Sequence, residues 1–202
     1  MTFDSSDHVL PIDAELIDRI LIPAANYFDA TARYPLEQLP MFEGVGVYAI
    51  YVRPDADTIY RDVLHEEYPI YVGKAVPSGS RQGRSTTSNR QLRSRLMEHR
   101  RSIEQGGMPA SAFYCRFMIM QGLGEDLIPA MESTLIRRYH PIWNSYIDGF
   151  GIHTPGAGRF NQQPSEWDTL HPGRPWLDKL TGAPRDKALI LKKIKSYRMR
   201  EG

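Results

Sequence analysis

Two tyrosine-bearing stretches constrain this chain more than anything else in it. The first is Val45-Gly46-Val47-Tyr48-Ala49-Ile50-Tyr51-Val52; the second is Pro69-Ile70-Tyr71-Val72-Gly73-Lys74. Both are rich in β-branched and aromatic residues and read as β-strands. Tyr48 and Tyr71 stand 23 positions apart. The connection from Pro54 to Tyr68 is polar and too long for a tight hairpin, with room for a short helix around Thr58–His65.

The remaining elements follow from periodicity and punctuation. Ile12, Leu16, Ile17, Ile20, Leu21, Ala24 and Phe28 recur near the helical period, with Pro23 expected to kink or split that helix. Pro35 and Pro40 mark a loop. Residues 76–89 form a loop rich in Gly, Ser and Arg, and Ser88 or Asn89 can cap the helix that follows, from Arg90 to Gln105. A third strand covers Ala112–Met120, and another helix runs from near Asp126 to His140-Pro141 with Pro129 in its first turn. Residues 141–176 read as ordered loop, and a basic helix spans Asp186–Met199. The pattern predicts an α/β (α+β) sandwich: a small, mainly antiparallel three-stranded sheet flanked by helices. Its parts are an N-terminal helical extension at 1–43, a core at 44–146 and a C-terminal extension at 147–202, forming one compact domain.

Composition narrows the partners. Hydrophobic content of 41% and charged content of 24% suit a soluble globular protein. No apolar run is long enough for a membrane helix, and the acidic first residues lack a signal-peptide core, so the cytoplasm is expected. The lone Cys115 excludes an internal disulfide. The net charge of +1 hides a strong asymmetry: residues 1–70 hold 13 acids and 4 bases, whereas residues 71–101 hold 8 bases and only Glu98. A second basic cluster lies at 185–200. Such clustering marks a polyanion partner or a solvated face.

Several residues stand out chemically. Leu92, Leu96, His99 and Ile103 share one helix face, so His99 sits in an apolar stripe, and Arg95 borders it one turn earlier. A core histidine needs only a hydrogen-bond partner; an arginine beside it needs an anion. On the next helix, Leu127, Ile128, Met131, Leu135, Ile136 and Tyr139 form the buried face, with Glu132 at its edge. That carboxylate wants a cation, either an arginine such as Arg95 or Arg116, or a divalent metal. Asn144 can cap locally or contact a phosphate.

In this order, Gly46-Val47-Tyr48, Tyr71-Val72-Gly73, Arg95, His99, Glu132 and Asn144 resemble the GIY-YIG nuclease superfamily over residues 44–146. Valine replaces isoleucine in both signatures. The spacing of His99 after Arg95, the segment His153–Arg159 and the segment Trp167–Trp176 are similar to the tails of stand-alone type II restriction endonucleases that cut CCGCGG.

The resemblance implies hydrolysis of a phosphodiester in double-stranded DNA. Tyr48 is then the general base, helped by His99 or by Lys74. Tyr71 orients water or phosphate, Arg95 holds the scissile phosphate, and Asn144 contacts phosphate. Glu132 is the protein ligand of one Mg2+ per active site, with Mn2+ as a substitute. DNA contacts are expected from Arg81, Arg84, Arg90, Arg93, Arg159, Asn161, Gln162 and Arg174, because arginine reads guanine edges well. A palindromic site implies a homodimer, and a restriction system implies a cognate DNA methyltransferase without a stable complex. A repair or homing-type nuclease and an inactive DNA-binding module are the competing readings.

Overall fold

The computed structural model describes residues 9, 10, 12–77, 90–152, 154 and 156–197. The two tyrosine stretches pair with each other. Strand β2 (Val45–Val52) lies antiparallel to β3 (Tyr71–Ala75), with Tyr48 directly opposite Gly73. On its other side β2 pairs with β4 (Phe113–Met120). A fourth strand, β1 (Arg33–Pro35), completes the sheet in the order β1-β4-β2-β3, all neighbours antiparallel. The sheet is therefore four-stranded, not three-stranded. The extra strand lies where two prolines suggested only a loop; as an edge strand of three residues ending in Pro35, it needs few ladder donors.

β2 is buried along its whole length because helices cover both faces of the sheet. On one face Tyr48, Ile50 and Val52 pack with Leu92, Leu96 and Ile103 of α2 (Gln91–Gln105) and with the segment from Ile142 onward. On the other face Val45, Val47, Ala49 and Tyr51 pack with α1 (Ala14–Ala30) and α3 (Ile128–Tyr139). Alternation along the strand assigns each side chain its face. Hence Tyr48 and Tyr71 point toward α2, whereas Val72 points toward α3.

The helices differ from expectation at their ends. α1 continues through Pro23 without a break, and only Leu21, Ala25 and Phe28 are buried. Its first half leaves Leu16 59% and Ile20 51% exposed, so the periodic stripe covers the core only in the second half. α3 begins at Ile128, after 3-10 turns over Gly122–Leu127, and ends on His140 in the left-handed region at φ 46°. Residues 58–65 form turns rather than a helix, folded around the fully buried Tyr60. The cap expected from Ser88 or Asn89 lies outside the described residues.

The C-terminal region is more structured than a loop. A π-helical turn at Ile142–Tyr146 leads to α4 (Glu166–Leu170) and then α5 (Lys187–Lys195). α5 buries Ile190 and Ile194, and Lys193 pairs with Glu166, so part of the basic cluster is already paired within the fold. Trp143, Trp167 and His171 pack edge-on and tilted around Tyr60, whose hydroxyl lies 2.8 Å from His171 Nε2.

Burial pushes His171 down from its ordinary 6.5 to about 4, with Lys187 and Arg174 adding to the shift. A base held neutral in the folded state contributes stability that is complete above about pH 6.5 and is lost as pH falls toward about 4. Urea unfolding across that range is expected to show a loss of ~3 kcal/mol from this group. The variant His171→Asn keeps an acceptor for Tyr60 and flattens the profile; an unchanged slope would show that His171 is not the titrating group.

Candidate active site

Backbone geometry brings Tyr48 into place first. Gly46 has φ 150°, and a Cβ there would stand 2.0 Å from the Met118 carbonyl oxygen, so the chain can enter β2 only with glycine. Across the ladder, a Cβ on Gly73 would stand 2.5 Å from the Tyr48 hydroxyl. The phenol thus lies over the bare backbone of the second signature. The glycines of both signatures are steric requirements of the tyrosine's position.

α2 supplies the opposite wall. The Leu92 amide donates to the Gly44 carbonyl at 3.1 Å, which ties the helix start to the start of β2. Two turns on, His99 is 2% exposed, and its Nε2 lies 2.6 Å from the Tyr48 hydroxyl. Tyr71 meets the His99 ring edge-on with centroids 5.0 Å apart. Burial, and then the neighbouring Tyr71, raise the Tyr48 hydroxyl well above the ordinary phenol value; Arg95 opposes them through its charge and a hydrogen bond, and Glu132 adds to the rise. Tyr71 is pushed up to about 12 by burial, lowered by Arg95 and raised by Glu132. Arg95 pairs with Glu98 on its own helix and still reaches the tyrosine pair.

Glu132 comes from the other face. Its carboxylate binds Lys74, which follows Gly73 on β3 and points toward α3. Because β3 is an edge strand, the two faces meet beyond it, and the charge of Glu132 acts on both tyrosines. In this structure the cation paired with Glu132 is Lys74, not an arginine; Arg116 pairs with Asp29 instead. Of the two candidates for assisting Tyr48, His99 touches its hydroxyl and Lys74 is held by Glu132.

The chain matches the model of the Eco29kI GIY-YIG domain over residues 40–198. It belongs to that family. The protein is a GIY-YIG endonuclease, and the match extends past Asn144 through the whole C-terminal region as far as α5. A search of curated proteins finds no match.

Two expected roles change in this endonuclease. Asn144 does not face a phosphate with its amide free: Oδ1 accepts from the Val72 amide and Nδ2 donates to the Val72 carbonyl, both at 2.8 Å. The side chain completes the open edge of β3 like a one-residue strand, and so fixes the Tyr71-Val72-Gly73 signature from outside. Arg174 cannot read bases, because it is only 2% exposed. It pairs with Asp168 at 3.3 Å, lies over the rings of Trp167 and Trp176, and donates to the Gly149 carbonyl at 3.1 Å.

That last bond reaches the site. Phe150 follows Gly149 and stacks on His99 at 4.9 Å, and a Cβ on Gly151 would stand 2.5 Å from the Tyr71 hydroxyl. The turn at 149–151 is therefore the outer wall behind His99, fixed by Arg174. Phe150 was not picked out in the sequence; its one signal is an aromatic between two glycines shortly after Asn144. Beside this wall a cleft of about 320 Å3 opens between Arg95, His99, Arg101, Ser102 and Gly151.

Arg90 is exposed and pairs with Glu43, and Arg93 donates to the Pro40 carbonyl. Arg159, Asn161 and Gln162 are exposed in the C-terminal region. Arg81, Arg84, His153 and Pro155 lie outside the described residues.

Gly73→Ala is expected to displace the phenol and lower cleavage by about 100-fold, as a misplaced reacting group does. Phe150→Leu and Arg174→Met loosen His99 without removing it, and are expected to reduce kcat about tenfold at nearly constant KM for DNA. Steady-state cleavage with circular dichroism as a fold control checks both; full activity in Arg174→Met would show that the wall does not position His99.

Proposed function

We propose that the protein is a type II restriction endonuclease that cuts double-stranded DNA at a palindromic G/C-rich site, CCGCGG being the candidate sequence. The observation that carries the proposal is the buried Tyr48–His99 hydrogen bond flanked by Arg95 and Glu132. A phenol raised this far is not an anion at neutral pH, so it can act as a base only by handing its own proton on. Tyr48 takes a proton from the attacking water while its own proton passes to His99 Nε2. The water oxygen bonds to phosphorus, the bond from phosphorus to O3′ breaks, and a 5′-phosphate remains. Arg95 holds the phosphate oxygens, its permanent charge suiting the added negative charge of the transition state. Tyr71 orients the water.

Glu132 suits a magnesium ion. Its side chain is 17% exposed at the edge of the site. Among the described residues no three His, Cys, Asp or Glu side chains gather as a metal cluster. An ion held there relies on one carboxylate, waters and phosphate oxygens, a set that magnesium accepts and for which Mn2+ can substitute. When bound, it supplies positive charge to the leaving oxygen. Lys74 occupies that carboxylate otherwise.

A palindromic site calls for a homodimer, one active site per strand. The exposed apolar residues Leu16 and Ile20 on α1, with Ile12 just before its start, support a surface of that kind. The working partner in the cell is then a cognate DNA methyltransferase that forms no stable complex with the enzyme.

Plasmid DNA incubated with the protein and magnesium is expected to give discrete, reproducible bands, and sequencing their ends identifies the site. Nicking confined to damage or junctions would favour a repair-type or homing-type nuclease, and no cleavage an inactive binding module. Tyr48→Phe, His99→Ala and Glu132→Ala are each expected to lose at least about 100-fold in rate. Full cleavage by Glu132→Ala in magnesium would overturn the metal assignment.

A further inference from the structure

A second charged site lies on the α1–α3 face of the sheet, away from Tyr48 and His99. It is a cavity of about 550 Å3 into which Arg33 of β1, Arg116 of β4 and Arg138 of α3 converge. Arg33 and Arg116 stand directly opposite each other in the β1–β4 ladder. Like charges in that position destabilise a sheet. Both guanidinium groups lie over one ring, Tyr51, at 4.4 and 5.6 Å.

The carboxylates present do not balance them. Asp29 already takes the Tyr139 hydroxyl, Arg116 at 3.6 Å and Arg138 at 3.2 Å. Glu67 lies exposed at the rim beside Tyr68. Arg33 has no carboxylate partner among the described residues, and the Nε atoms of Arg33 and Arg116 are buried without a hydrogen bond, as is the Tyr51 hydroxyl beneath them. Unpartnered donors of this kind are costly in a desolvated setting, and a guanidinium fork matches a tetrahedral oxyanion.

We infer that this cavity binds a phosphate group, with Arg33 and Arg116 as its main donors and Arg138 at its mouth. The phosphate comes either from a free phosphate or nucleotide, or from the DNA backbone. The site does not depend on the nuclease chemistry: Glu132 and Arg138 are six residues apart on α3, about 9 Å of helix rise.

Thermal unfolding of the full chain in sodium phosphate, against sodium chloride at equal ionic strength and pH, tests the inference. Millimolar phosphate is expected to raise Tm by about 2–4 °C in the wild type. The rise should be absent in Arg33→Ala and reduced in Arg138→Ala, an exposed position, with circular dichroism of both variants as the fold control. No phosphate-specific rise in the wild type, or an undiminished rise in both variants, overturns the site. The source is read separately, from the salt dependence of duplex binding in the Glu132→Ala background. A slope reduced by about one on adding Arg33→Ala assigns the phosphate to DNA. An unchanged slope, with the thermal effect present, assigns it to a free phosphate or nucleotide.

Discussion

The hydrogen bond between Tyr48 and His99 is the interaction on which the site depends. Both groups are buried, where a polar side chain needs a hydrogen-bond partner, and each supplies one to the other. The pair's geometry depends in part on what lacks a side chain nearby. Gly73 leaves room for the phenol, and Gly151 leaves room for the Tyr71 hydroxyl and lies against His99. In the proposed mechanism a fixed hydrogen bond of this kind lets a weak base act without ever becoming a stable anion.

The charged partners arrive by a different route. Alternation sends neighbouring residues of β3 to opposite faces, so Tyr71 and Gly73 serve the tyrosine site while Lys74 meets Glu132 on α3. An interior strand would keep these two sets apart. At the edge of the sheet they come close enough for a carboxylate on the α3 face to act electrostatically on phenols on the α2 face. The open edge is a liability in itself, and Asn144 closes it at Val72 with a side-chain amide rather than another strand.

Much of this was legible in the sequence, for reasons visible in particular residues. Strands β2 and β3 announce themselves by β-branched and aromatic runs, and the stripe Leu92, Leu96, His99 and Ile103 fixes the buried face of α2. The family resemblance added the roles. What periodicity could not supply was pairing. β1 is three residues long and ends in proline, so no local signal exceeds that of a loop; it becomes a strand only because β4 offers it an edge. Asn144 could cap locally or meet a phosphate, and Glu132 could pair with an arginine or a metal; the partners found, Val72 and Lys74, lie 72 and 58 positions away and outside those alternatives. Phe150 has no periodic context at all.

Arg174 shows why charge alone misleads. In the sequence it follows Gly173 in a polar segment, and an arginine there looks available to DNA. In the fold, burial drives the Asp168 carboxyl upward and the Arg174 guanidinium downward, each toward its neutral form, with the partner's charge only the second influence on each. Desolvation thus outweighs attraction on both sides of the pair, so the pair is a poor source of stability. Its value lies in direction. Two indole rings and a carboxylate leave the guanidinium one orientation, and from there Nη1 reaches the Gly149 carbonyl next to the residue that stacks on His99. A hydrophobic replacement of the same shape could keep the core filled, but it could not hold that carbonyl. The C-terminal region is for this reason part of the site rather than an appendage to it: it builds the surface against which His99 is set.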